Sequence, residues 1–308
     1  MAIQKVLSID GGGIRGVFAA ALLERIEQQV PSLRASVTLY AGTSTGGLIA
    51  LELATGTKTP TDLVQLYKTK GPEIFDDSWL DDLRDLGGLA GADYDNKNLK
   101  KILTKEFGQT RLKDLPTRVL ISAFDLDNEA VEAKREWKPK FFHNFAGTDS
   151  DGGELAVDVA LRTAAAPTQF PSYDGYVDGG VVANNPSMAA LAQLLDDRAS
   201  GGAAAKLNEI RLFSLGTGTP LHYIPGKTHD WGYAQWVKPL IKLMLDGSVG
   251  VADYQCHQLL GARYHRLAPK FPPKVAIGSD DVKRIPELIK LAKDVDIAPS
   301  VNWLKANW

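Results

Sequence analysis

Two strand–glycine turn–helix passages follow one another in the first 55 residues, and this succession limits the chain more than any other feature. "KVLSID" (5–10) is a short apolar run that ends in glycines, the pattern of a buried strand. The segment after it carries Phe18, Leu22, Ile26 and Val30 at four-residue spacing, which lines one helical face. "VTLYA" (37–41) reads as a second strand, and "TGGLIALELATG" as a second helix with Gly56 as its C-cap. Strand, helix, strand, helix is a βαβ unit, so the sheet begins parallel.

"RVLISAFD" (118–125) and "EIRLFSLG" (209–216) read as further core strands. Helical patterns lie near 61–70, 97–107, 154–165, 187–198, 234–246, 251–261 and 283–294. The acidic stretch 75–96 reads as a surface excursion, and "ASGGAAAK" (199–206) as a small-residue loop. Neither resembles a linker to a second core, so one domain over 1–308 is expected. A net charge of −2 gives no basic field for nucleic acid, and one cysteine, Cys256, allows no internal disulfide. No stretch has the length of a membrane span or signal peptide, so a cytoplasmic protein is expected.

The first turn, "DGGGIRG" (10–16), fits G-x-G-x-x-G through Gly11, Gly13 and Gly16. A dinucleotide site also needs an acid at the end of the second strand, where this chain has "YAGTSTG". A P-loop needs Gly-Lys-Ser/Thr, which is absent. The glycines still let backbone N–H groups converge at a helix start, a nest for phosphate or an oxyanion, with Arg15 as a nearby cation. The second turn holds Gly42-Thr-Ser44-Thr-Gly46, a G-x-S-x-G between an apolar strand and an apolar helix. On such an elbow a serine stands clear of the sheet, and Ser44 is the candidate nucleophile.

A serine nucleophile needs a base. The histidines His143, His222, His229, His257 and His265 each also read as surface or packing residues. "DGG" occurs at Asp10, Asp151 and Asp178. Asp10 is expected to fix the first loop, and Asp151 reads as an exposed turn. Asp178 follows the apolar Tyr176-Val177 and precedes Gly179, Gly180 and "NNP". A carboxylate there is able to take the serine proton directly.

These three motifs, in this order, resemble the patatin-like phospholipase family. Its D-G-G-G-x-R-G loop, G-x-S-x-G elbow and D-G-G are matched by 10–16, 42–46 and 178–180. "TAAAPTQFPSYDGYVDGGVVANNP", "FSLGTG" and the segment 236–260 are also similar to members of that family. The resemblance implies a three-layer α/β/α sandwich with a mainly parallel sheet. It also implies a calcium-independent lipid acyl hydrolase, with Ser44 as nucleophile and Asp178 as base. Gly11, Gly12, Gly13 and Arg15 would form the oxyanion hole, and Gly16, Gly42, Gly46, Gly179 and Gly180 would shape the loops. No metal and no cofactor are expected. The expected partner is a lipid at a membrane or micelle surface, met peripherally; nucleic acid is not, and the sequence gives no oligomeric state. The competing readings are a lipid-binding or storage protein, a nucleotide-activated effector and a histidine-assisted esterase for soluble esters. Trp236, Leu240, Leu243 and Met244, with Lys238 and Lys242 beside them, form a stripe expected to pack into the core rather than to meet a lipid interface.

Overall fold

Successive residues of each central strand enter two separate apolar clusters, as the two-residue period of a strand requires. The computed structural model describes residues 3–74, 92–198 and 204–308. Within it, Leu7 and Ile9 of β1 (Gln4–Ile9) point into one cluster and Val6 into the other. Tyr40 of β2 (Leu39–Thr43) faces the first cluster, Leu39 and Ala41 the second. The same split divides Val119 and Ile121 from Leu120 on β3 (Arg118–Asp125).

The first cluster is covered by α1 (Gly16–Gln29), α2 (Thr45–Ala54), α3 (Pro60–Ile74), α4 (Lys97–Phe107) and α5 (Ala156–Ala164). Phe18, Leu22, Ile26 and Val30 are all buried there, as their spacing predicts. Two C-terminal helices, α9 (Ile285–Asp294) and α10 (Ala298–Asn307), join that layer. The second cluster is covered by α7 (Ser187–Leu195), which follows the short α6 (Gly180–Ala183), and by the C-terminal half of α8 (Tyr233–Leu260). The architecture is therefore helices on both faces of one sheet.

Among the described residues the sheet has seven strands and is mainly parallel. Its path runs β4-β3-β2-β1-β6-β7, with β4 (Lys138–His143), β6 (Ile210–Leu215) and β7 (Tyr264–Leu267). Five strands, β3 through β7 along that path, are parallel; β4 pairs antiparallel at one edge. A seventh strand, β5 (Tyr176–Asp178), pairs antiparallel with β3.

Two expectations change. The helical patterns at 234–246 and 251–261 are one 28-residue helix, α8, which runs through Gly247 and Gly250 without a break. On its first half Leu240, Leu243 and Met244 are about half exposed rather than packed in the core. The residues of α8 that join the cluster on the sheet are instead Cys256 and Leu260, with Ala252 buried one turn earlier. Most of the acidic excursion (75–91) and most of the small-residue loop (199–203) lie outside the described residues.

Candidate active site

β3 is the ruler along which the site is assembled. On one side β4 pairs with residues 120–125. On the other, β2 occupies residues 118–122 and β5 occupies 123–125. β2 runs parallel to β3 and β5 antiparallel, so their C-terminal ends meet head to head along one edge. Thr43 pairs with Ser122 and Asp178 with Ala123, which are adjacent residues. The next residue after Thr43 is Ser44, so serine and carboxylate are brought together by strand register alone.

Ser44 has φ +53° and ψ −126°, a conformation that a non-glycine residue adopts only under constraint, at a cost of roughly 1–3 kcal/mol. Its surroundings supply that constraint. The Ser44 N–H donates to Thr163 Oγ1 at 2.8 Å, and the Thr163 hydroxyl donates to the Ser122 carbonyl at 2.6 Å. Gly42 and Gly46 permit the close turn: a side chain on Gly42 would strike the Gly46 carbonyl, and one on Gly46 the Ile9 carbonyl. The elbow thus rests on the end of β1, where the glycine loop begins.

Asp178 is buried, and burial raises its pKa to about 6 despite the lowering effect of hydrogen bonds from the Ser44 hydroxyl and the Gly180 N–H. The Gly180 N–H reaches Oδ1 at 2.6 Å. Gly179 is held so close to the Ser122 carbonyl that no side chain fits there. Burial and a single amide partner on Oδ1 produce a carboxylate that is ionised at neutral pH yet more basic than a solvated one.

The glycine loop closes the third side. A Cβ placed on Gly11 would lie 3.3 Å from Ser44 Cβ, and one on Gly16 would strike Thr45 Oγ1 and the Tyr67 hydroxyl. The Gly11 N–H donates to the Asn184 carbonyl at 3.0 Å. It is therefore engaged, which removes one of the three amides expected in an oxyanion hole. The Gly11 carbonyl accepts from Thr217 Oγ1 at 2.8 Å, and the Gly12 carbonyl from the Arg15 N–H and Nε at 3.2 and 3.3 Å. In a trans peptide the N–H points opposite to the C=O. The N–H groups of Gly12 and Gly13 are thereby turned away from Thr217 and Arg15, and among the described residues neither has a hydrogen-bond partner. Arg15 orients the loop through a carbonyl. Asp10 anchors it from behind, in a buried ion pair with Arg266 that also binds Ser214 Oγ at 2.6 Å.

The histidines stand elsewhere. His265, on β7, clusters with the rings of Phe213 and Trp303, which also contact each other, and bonds Ser300 Oγ at 2.9 Å. Three strand spacings separate it from β2, roughly 14 Å. His257 is exposed on α8 and its ring nitrogen lies 3.2 Å from the Asp253 carbonyl. His143 is buried in β4 beside Leu120, and His229 packs on Trp231. Among the described residues no histidine, His222 included, hydrogen-bonds Ser44 or Asp178. Asp151 is not an exposed turn: its carboxylate is 12% exposed, pairs with Lys140 at 2.5 Å and accepts from the His143 N–H at 3.0 Å. Thr163, Thr217 and Asn184 lie in the segments that carry the family resemblance and Arg266 in none; their roles were not legible, because each depends on hydrogen bonds across the fold.

The chain is similar to known proteins. The family model described as patatin-like phospholipase matches residues 7–191, which include the glycine loop, the elbow and Asp178. Protein teg of Priestia megaterium is 29% identical, with all of both chains covered. A cGAMP-activated phospholipase of Pseudomonas aeruginosa is 32% identical over 91% of this chain and 81% of that one. A potato protein (Solanum tuberosum) named "Probable inactive patatin-3-Kuras 1" is 31% identical over 81% of this chain and 72% of its own. With more than half of its length matched by the family model, the chain belongs to the patatin-like phospholipase family.

Proposed function

We propose that the protein hydrolyses fatty-acyl esters of membrane phospholipids or related glycerolipids through a Ser44–Asp178 dyad. Ser44 Oγ attacks the ester carbonyl while Asp178 takes its proton. The tetrahedral oxyanion is held by the N–H groups of Gly12 and Gly13. Asp178 returns the proton to the departing alcohol, leaving an acyl-serine. It then takes a proton from water as the water attacks the acyl carbon, and gives that proton to Ser44 Oγ as the fatty acid leaves. Family membership supports a lipid ester substrate.

The observation that carries the reading is the head-to-head meeting of β2 and β5 on β3, which sets Ser44 against a buried carboxylate whose pKa is near 6. A carboxylate at this value is ionised at pH 7 and is a stronger base than a free aspartate. The test is lipid profiling of a membrane extract treated with wild type or with Ser44→Ala. Loss of intact glycerolipids and a rise in free fatty acids with wild type alone support the proposal. Identical profiles would reduce the protein to a lipid binder.

A further inference from the structure

We infer that two segments projecting past the catalytic edge of the sheet form a docking surface for a lipid bilayer. The inference rests on the lipid-hydrolase reading above. The segments are the β3–β4 connection, residues 126–137, and the chain from the β6 exit into the first half of α8, residues 216–244.

Both leave the sheet on the Ser44 side. β3 is parallel to β2, so its C-terminal residue Asp125 lies at the same edge as the elbow. The dyad sits level with Ser122 and Ala123, and the connection begins three residues further on, about 10 Å beyond. β6 is parallel to β1 and ends at Leu215, at that edge as well. α8 then descends the back of the sheet. Its Cys256 and Leu260 lie in the apolar cluster there. Its middle is level with the site: Leu245 abuts Gly180, and Ser248 Oγ accepts from the Asn184 N–H. Tyr233 is twelve residues earlier, about 18 Å up the helix axis. The first half of α8 therefore stands above the catalytic mouth.

Exposed apolar side chains gather on these two segments. Fourteen large apolar residues stand exposed among the described residues; three are in 126–137 and six in 216–244. Val131, Trp137, Tyr223 and Tyr233 are 72–85% exposed, and Leu243 and Met244 about half. Aromatic rings with a polar tip suit the headgroup boundary of a bilayer, and aliphatic side chains the acyl region below it. The two segments together carry no net formal charge: 126–137 has two more acids than bases, and 216–244 two more bases than acids. Attachment is therefore apolar, and neither salt nor anionic lipid governs it. Among the described residues no helix is long and apolar enough to cross a membrane, so contact is made by these side chains at the surface.

The test uses the full chain, with sedimentation on phosphatidylcholine vesicles and two assays: hydrolysis of the vesicle lipid and hydrolysis of a monomeric short-chain ester. The variants are Leu243→Ser/Met244→Ser and Val131→Ser/Trp137→Ser, each checked by circular dichroism. Each pair should lower vesicle binding and vesicle-lipid hydrolysis at least tenfold, with monomeric-ester turnover unchanged, since each inserted side chain is worth more than a factor of ten. Ser44→Ala should bind vesicles like wild type. Unchanged vesicle binding and hydrolysis in both pairs would overturn the docking surface and leave the hydrolase reading intact. Normal vesicle binding with no ester hydrolysis by wild type would overturn the hydrolase reading instead. A shift from dimer to monomer in the variants by light scattering, without loss of vesicle binding, would make the face a contact between two copies and also refute the inference.

Discussion

Thr43 and Asp178 pair with consecutive residues of β3, Ser122 and Ala123, from strands that run toward each other. The proximity of Ser44 and Asp178, the proposed dyad, is thus a product of sheet register. A one-residue slip of β5 would turn the Asp178 side chain to the opposite face of the sheet and separate it from Ser44.

The Ser44 assignment is the simplest to check. A fluorophosphonate probe should label Ser44, identified by peptide mass spectrometry, and Ser44→Ala should abolish both labelling and ester hydrolysis. Labelling at Ser248, whose hydroxyl bonds the Asn184 N–H and the Leu245 carbonyl, would contradict the assignment.

The proposed oxyanion amides depend on Thr217. Its hydroxyl holds the Gly11 carbonyl and so turns the Gly12 N–H. Thr217→Val should lower kcat about tenfold with KM and the pH profile little changed, because the interaction matters more in the transition state than in the bound ester. A side chain at Gly12 itself would collide with Thr217, so Gly12→Ala confounds position with fit. Full kcat in a folded Thr217→Val would remove the loop from the mechanism.

Asp151 should matter for stability and not for turnover. Asp151→Asn loses the ion pair to Lys140 while β4 keeps its place through the backbone. A drop of about 1–3 kcal/mol in chemical denaturation, with normal activity per folded molecule, is expected. Loss of activity without loss of stability would place Asp151 in the chemistry.

Glu52, in α2 two turns from Ser44, is buried, and among the described residues its carboxylate oxygens have no hydrogen-bond partner. Burial raises its pKa to about 7, helped by Glu106 and opposed by Lys58. Between pH 4.5 and 7 the folded protein holds a proton that the unfolded chain has released, so this residue's contribution to stability falls as pH rises. Above pH 7 the full cost is present, roughly 3 kcal/mol. Glu52→Gln should therefore gain stability over wild type as pH rises from 4.5 to 8, measured as the difference between two denaturation series. A constant difference across that range would contradict the account.

The parallel core was legible because short apolar runs and glycine turns alternate with amphipathic helices, and 97–107 was read to the residue. Ser44 and Asp178 were legible because each stands in a motif with its own context. β5 was visible only as an apolar pair before Asp178, since three residues leave no period to read. β7 is too short, at four residues, for a period to show, and the start signals of α10, Asp296 and Pro299, stand before a tail with no clear apolar face. The exposed face of α8 was misread because apolar spacing reports a helical stripe and not what covers it. Gly11 was placed among the oxyanion donors because nothing in the sequence shows that Asn184 takes its N–H.

The central claim is that Asp178, and no histidine, takes the Ser44 proton, and the pH dependence of kcat/KM for a monomeric ester tests it most directly. Wild type should gain activity with rising pH through a single ionisation near pH 6 and stay level above it, since the deprotonated carboxylate is the active form. Folded Asp178→Asn should lose about 100- to 10,000-fold and lose that pH limb with it. His265→Gln and His257→Gln should keep the limb and the rate. A folded Asp178→Asn with near-normal activity and the same limb, or a folded His→Gln variant that loses both, would contradict the account.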